Sequence, residues 1–241
     1  MKKLNRGCRI TWLGHSAFRV DTPGGKVLLI DPWLGNPRAP AGAAEGLARL
    51  DAILLTHGHS DHMGETVALG LRFQPEVPCV FELHLYLGAQ GLTQTRPMNK
   101  GGTQTVAGGV GVTMVRADHS SGIDVGGQSG PALCGGEPCG FVLEMENGFR
   151  FYHAGDTDVF GDMKLIGDLY APELAILPIG GLFTMGPREA AVAARLLNPK
   201  HVVPMHYGTF PVLAGTPGEL ERELTGSGID VIALRPGKVW E

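Results

Sequence analysis

The segment Thr56-His57-Gly58-His59-Ser60-Asp61-His62 packs three imidazoles and a carboxylate into six positions, directly after the apolar run at 52–55. Nitrogen and oxygen donors of this kind suit zinc, manganese or iron. His57 and His59 are two apart on an extended segment, so their side chains can point the same way. Asp61 and His62 open the helix expected over 61–73 and offer a second set of donors nearby. Gly58 and Ser60 leave room for two ions to lie close together. A histidine-rich surface turn would use the same residues without a metal.

A two-ion centre needs donors from elsewhere in the chain. Three other strand-like runs end in polar residues of the right type: Ala117-Asp118-His119, His153-Ala154-Gly155-Asp156 and Met205-His206. Loops at strand ends are where sites assemble in α/β sheets. His15, in the turn Gly14-His15-Ser16, either contacts substrate or donates a proton, or else bonds only to backbone. His153 is expected to support a ligand, and His84 and His201 to be structural. Tyr207 either faces substrate or packs. Asp118 and Asp158 are expected to be solvated or hydrogen-bonded, without binding metal. Gly101-Gly102 and Gly180-Gly181 could approach an anion closely, but neither precedes the Lys-Ser/Thr of a phosphate loop. Residues 184–188 are expected to line the cleft.

The elements that must hold these residues alternate along the chain. Short strands are expected at 9–13, 17–20 and 26–30, with a hairpin turn at Thr22-Pro23-Gly24-Gly25. A buried strand at 52–55 precedes the helix over 61–73, which Pro75 and Pro78 end. A strand at 78–81 and a helix over 82–90 follow. Strands are expected at 111–117, 140–146 and 149–153, the last two joined by the Asn147-Gly148 turn. Residues 120–136 are polar and glycine-rich and read as a mobile loop. The last third reads as a strand at 174–177, a helix over 187–197 with proline in its first turn and a strand at 201–205. A capping box at Thr216-Pro217-Gly218-Glu219 then opens a helix to about 225, and a strand at 229–234 closes the chain. No repeat or linker interrupts this order, so residues 1–241 read as one layered α/β domain.

Composition narrows the functional class. The 241 residues are 43% hydrophobic and 18% charged, with a net charge of −4, which gives no basic footprint for nucleic acid. No run approaches the ~18 apolar residues of a membrane span, and the lysines at positions 2 and 3 lead into no apolar signal core. A cytoplasmic enzyme acting on a small molecule, without membrane or nucleic-acid partner, is expected. Thirty-seven glycines suit short strands with functional loops at their ends. The cysteines at 8, 79, 134 and 139 are scattered; Cys134 and Cys139 could form half a zinc site or a disulfide, but ordinary reduced thiols are expected.

The motif His57-Gly-His59-Ser-Asp61-His62, with His119, Asp156 and His206 and the early Asp31, resembles the metallo-β-lactamase superfamily pattern. Trp12-Leu13-Gly14-His15-Ser16, Tyr152-His153-Ala154-Gly155-Asp156-Thr157 and Pro204-Met205-His206-Tyr207-Gly208 are similar to a group of metal-dependent hydrolases related to the ascorbate-6-phosphate lactonases. The resemblance covers almost the whole chain and matches least at 123–139. It implies a four-layer αββα sandwich, and His57, His59 and His119 on a first metal. It implies Asp61, His62 and His206 on a second, Asp156 between the two, and Asp31 orienting a ligand histidine. The cofactors implied are two divalent ions, zinc or alternatively manganese. A hydroxide bridging ions ~3.5–4 Å apart would attack a small ester, lactone or phosphoester, with Asp61, Asp156 and His15 as the residues nearest the chemistry. The resemblance also makes a homo-oligomer possible. The alternatives are a nuclease of the same fold and a metal-binding protein without turnover. A diiron oxygen-using role is disfavoured because His59 stands where such proteins are expected to carry a glutamate.

Overall fold

The computed structural model describes residues 5–124 and 131–241. Two sheets face each other across one apolar core. The first has the order β16-β1-β2-β3-β4, built from β1 (Arg9–Trp12), β2 (Phe18–Asp21), β3 (Val27–Ile30), β4 (Ala52–Leu54) and the closing β16 (Val239–Trp240). β1, β2 and β3 run antiparallel, and β3 and β4 pair parallel with Ile30 opposite Leu54. The Thr22–Gly25 turn makes the expected hairpin, closed by Gly25 N–H to the Thr22 carbonyl at 2.9 Å.

The second sheet has the order β15-β14-β13-β12-β11-β8-β7. Its strands are β7 (Thr103–Val106), β8 (Val110–Arg116), β11 (Cys139–Glu144), β12 (Arg150–His153), β13 (Leu174–Pro178), β14 (His201–Met205) and β15 (Asp230–Val231). From β12 to β15 the pairing is parallel. Every residue of β13 and β14 is buried, as strands covered on both faces must be. Trp12, Phe18 and Ile30 from the first sheet and Phe141, Phe151 and Ile176 from the second meet in the same core cluster.

Helices form the outer layers. α1 (Ser60–Met63), α2 (Thr66–Phe73) and α3 (Phe81–Ala89) lie on the side of the first sheet, with the parallel pair β5 (Val77–Val80) and β6 (Thr95–Met98). α4 (Met163–Tyr170), α5 (Pro187–Leu197) and α6 (Pro217–Glu223) cover the second. α5 follows the expected span, with Pro187 in its first turn. α6 opens on the expected capping box: Thr216 accepts from Glu219 N–H, and the Glu219 carboxylate accepts from Thr216 N–H at 2.9 Å.

The architecture is the expected αββα sandwich, and three local expectations are corrected. The helix expected over 61–73 is broken, because Gly64 adopts φ +41° and its Cα lies against the Trp33 backbone, where a Cβ would overlap the Trp33 Cα. The loop expected over 120–136 holds an antiparallel pair, β9 (Gly122–Asp124) with β10 (Ala132–Cys134). The rest of that expectation, at 125–130, lies outside the described residues, as do the lysines at positions 2 and 3. The strand expected over 229–234 shortens to Asp230–Val231: Ile232 N–H still donates to the Val202 carbonyl at 2.8 Å, but its own carbonyl accepts from Leu234 N–H, and the chain leaves the sheet there. β6, β7, β16 and α4 were not expected; α4 packs on α5 through Gly167, where a Cβ would come within 2.6 Å of the Leu197 carbonyl oxygen.

Candidate metal centre

All seven expected ligands meet where the two sheets' strand ends converge. From the first sheet, β3 delivers Asp31 and β4 delivers Thr56 and His57. From the second, Asp156 follows β12, His206 follows β14, and His119 follows β8. Three overlapping sets bring one donor atom per residue within 4.8 Å of one another: His57, His59 and His119; His57, His62 and Asp156; and His15, Asp61, His62 and His206.

Asp156 ties these sets together. One oxygen lies 3.2 Å from His62 Nε2; the other lies 3.0 Å from His206 Nε2 and 3.7 Å from His119 Nε2. Yet His62 Nε2, His206 Nε2 and Asp156 Oδ1 are buried without a hydrogen bond. The histidine nitrogens and the carboxylate lie within 3.0 to 3.2 Å of each other without completing a hydrogen bond. Unpaired polar atoms in a buried site are costly, and a cation ligated by all of them removes that cost. The donor set of imidazole nitrogens and carboxylate oxygens fits zinc or manganese.

Asp31 sets the donor atoms of two histidines. Its carboxylate can only accept, so the Thr56 hydroxyl donates to it at 2.7 Å and must then accept from His57 Nδ1–H at 3.0 Å. His62 Nδ1–H donates to the same Asp31 oxygen at 2.7 Å. In its neutral form each ring then presents Nε2 as a lone pair, which in His62 becomes available once its second proton gives way to a cation. Asp31 is fully buried, and its φ of +46° turns the chain from β3 into the site.

His59 reaches the first set through Nδ1, 3.0 Å from His57 Nε2, while its Nε2 lies 3.4 Å from Ser120 Oγ. Gly58 permits this approach: its N–H donates to Ser121 Oγ at 3.2 Å, and Ile123 of β9 sits where a side chain would go.

His15 is part of the second set. It lies at φ +50° after Gly14 at φ +93°, a turn held by two donors to its carbonyl, Trp12 Nε1–H at 2.9 Å and His206 N–H at 3.1 Å. Its Nε2 lies 3.0 Å from Asp61 Oδ2 and its Nδ1 2.9 Å from Thr209 Oγ1. Burial lowers its pKa to about 4, so the ring is neutral at pH 7. A neutral ring donates from Nε2 to Asp61 and accepts the Thr209 hydroxyl at Nδ1.

The centre demands positive charge. Burial works to raise the Asp156 carboxyl, but His206 and His62 hold it well below the ordinary range. Burial likewise works against ionised Asp61, but the His15 hydrogen bond and His62 win. Burial would strip the proton from His62, yet Asp156 and Asp31 keep it protonated far above its usual pKa. His57, His59 and His119 are all lowered, mainly by burial. A divalent cation answers the same demand as the His62 proton.

The remaining candidates resolve into packing roles. His153 Nδ1 accepts from Gly155 N–H at 3.2 Å, holding the backbone one residue before Asp156, and its ring packs on Phe18. His84 bonds Thr95 on β6 at 2.8 Å, and His201 packs edge-on to Trp240. Tyr207 stacks on Trp12 at 5.2 Å. Asp118 and Asp158 stay outside the three ligand sets. Gly180 does make a close approach, but to the His206 carbonyl and not to an anion. Cys134 and Cys139 are free thiols, one exposed and one buried, so no disulfide forms between them. Thr56, Thr209 and Ser120 were not anticipated. Thr56 carried a readable signal, a hydroxyl immediately before the first ligand.

Residues 26–207 match the family model described as a beta-lactamase superfamily domain. UPF0173 metal-dependent hydrolases of Koribacter versatilis and Rubrobacter xylanophilus are 49% and 51% identical to the chain. They cover 98% and 99% of it, and 98% of each relative is matched. The chain belongs to the UPF0173 family of metal-dependent hydrolases, within the metallo-β-lactamase superfamily. A solved metallo hydrolase, Igni18 from Ignicoccus hospitalis, superposes with a TM-score of 0.85 at 35% identity, over 96% of this chain and 97% of that one. The isothiocyanate hydrolase from Delia radicum gut bacteria, at 20% identity and a TM-score of 0.73 over 97% and 98% of the two chains, shares the fold. Among the described residues no helix is long and apolar enough to cross a membrane.

Proposed function

We propose that this hydrolase is binuclear and cleaves a small ester, lactone or phosphoester. His57, His59 and His119 would hold one ion, and Asp61, His62 and His206 the other, with Asp156 between them. The observation that carries this reading is the Asp156 carboxylate, whose two oxygens lie within 3.0 to 3.7 Å of histidines from both sets. Two divalent ions held there, zinc or manganese, supply Lewis-acid polarisation of the scissile group and acidify a water. The chain's own residues do the rest. Asp31 and Thr56 present the lone pairs of His57 and His62, and the buried His15 fixes Asp61 through Nε2–H. Half-buried His119 stands where the site opens to a cleft. No side-chain nucleophile is assigned.

The test is Asp156→Ala. Metal content is measured after reconstitution with zinc or manganese, together with turnover of p-nitrophenyl esters, lactones and bis(p-nitrophenyl) phosphate. Wild type is expected to hold two ions and show turnover that chelation abolishes; the variant should lose at least one ion and about a thousandfold in rate. Retained metal and turnover in the variant would overturn the assignment. Two bound ions in wild type with no turnover on any ester class would favour a non-catalytic metal protein.

A further inference from the structure

The segment after β13 is built in a way the metal centre does not require. Phe183 N–H donates to the Gly181 carbonyl at 2.7 Å, closing a three-residue turn on Leu182, which sits at φ +56°. This is the rare, strained hand of such turns, and a branched aliphatic residue is poorly suited to it. Leu182 is 72% exposed and Phe183 59%, so neither side chain gains packing within the chain in return. Strain of this kind persists only where the surroundings impose it, and it concentrates at functional sites.

The surroundings here belong to the metal centre. Met185 N–H donates to the Thr157 carbonyl at 3.2 Å, one residue past Asp156, and Gly181 N–H donates to the Met185 carbonyl at 3.0 Å. Gly180 lies directly against the His206 carbonyl. Two ligand loops therefore hold the turn, and Leu182 and Phe183 line, together with His119, a cleft of about 480 Å³. The charged residues lining that cleft are Asp118, Asp158 and Glu189, with no lysine or arginine among them. On the other side of His119, Lys100 is paired with Glu137, and Arg116 with Asp118 and Asp162.

We infer that Leu182 and Phe183 form an apolar lip that binds the non-reacting part of the substrate, and that this part is hydrophobic and carries no negative charge. The inference rests on the hydrolytic reading above and narrows it to substrates whose non-reacting substituent is apolar and uncharged, carboxylic esters and lactones with an apolar chain being the first to try. Asp158 and Glu189, beside an Asp118 already paired with Arg116, repel an anionic tail, and two exposed side chains wait for an apolar one.

The test compares p-nitrophenyl acetate with p-nitrophenyl octanoate on the metal-loaded full chain, for wild type, Leu182→Gly and Phe183→Ala. Both variants are also titrated with the neutral apolar fluorophore N-phenyl-1-naphthylamine. The octanoate-to-acetate ratio of kcat/KM should fall about tenfold in each variant, the effect of losing one good apolar contact, and the fluorophore should bind about tenfold more weakly. Leu182→Gly also relieves the backbone, so loss of the fold would not explain its effect. Metal-dependent turnover with an unchanged ratio would overturn the lip and leave the hydrolase standing. If no ester is cleaved, the hydrolytic reading for esters fails separately, and unchanged fluorophore affinity overturns the lip. Conversion of an oligomer to monomers by either variant, seen by light scattering, would make the lip a subunit contact and overturn the inference as well.

Discussion

At the scale of single residues, the centre depends most on a side chain that none of the three ligand sets includes. Asp31 accepts from His62 directly and from His57 through Thr56. It decides which nitrogen of each ring would face a metal and helps to fix each ring's angle. Removing the carboxylate in Asp31→Ala frees the His62 ring, loosens His57 through Thr56, and leaves three buried donors, His62 Nδ1–H and the Thr56 N–H and O–H, with nothing to accept them. Losing partners of this kind typically costs 10- to 100-fold in metal affinity. Zinc affinity of Asp31→Ala, measured by competition with a chromogenic chelator, is therefore expected to fall about 30-fold, and Thr56→Val, which severs only the His57 branch, should fall less. Equal affinities in Asp31→Ala and wild type would mean that the rings are held by packing alone. His62 sits against both Asp31 and Asp156, so it should move most in a structure of the variant.

At the scale of elements, the site's accuracy depends on where segments stop. α1 must end after one turn so that Asp61 and His62 face the seam, and Gly64 ends it by turning at φ +41° against the Trp33 backbone. Gly64→Ala introduces a Cβ with no space in a conformation that side-chain-bearing residues avoid. The expected loss is about 3 kcal/mol in the urea unfolding free energy, with a further loss of metal affinity as α1 shifts. A stability change below ~0.5 kcal/mol would show that the segment can relax. The same glycine explains what the sequence could not disclose. Apolar spacing over 61–73 looks continuous, and only the contact with Trp33, thirty-one positions away, breaks it. Gly167 hides α4 in the same manner, because a glycine inside a short helix argues against it until α5 is seen packed on it. The ligand cluster at 57–62 was legible because its donors are contiguous, and α5 and β14 were legible because proline and buried apolar runs mark their limits. The edge strands β6, β7 and β16 are short and polar or two residues long, and their pairing partners define them more than their own composition does. Leu182 and Phe183 were missed for a related reason: nothing in the sequence says that they are exposed.

At the scale of the whole molecule, the proposed ligands are divided between the two sheets. His57, His59, Asp61 and His62 follow β4 of the first sheet, while His119, Asp156 and His206 follow β8, β12 and β14 of the second. Ions shared by these residues would fasten together two sheets that already meet across an apolar core, and they would bind a constellation that the unfolded chain does not possess. Ligand that binds only the folded state stabilises it by RT ln(1 + [L]/Kd), about 4 kcal/mol when free metal is a thousand times Kd. For a chain of this length that is a shift of roughly 10 °C in Tm. Exhaustive chelation followed by dialysis is therefore expected to lower the calorimetric Tm by about that much, and stoichiometric zinc or manganese should restore it. Asp156→Ala should respond far less than wild type, because it lacks the carboxylate that joins the two sets. A Tm indifferent to chelation in wild type would mean that the sheets hold together without the ions, and that the ligands at their seam serve chemistry alone.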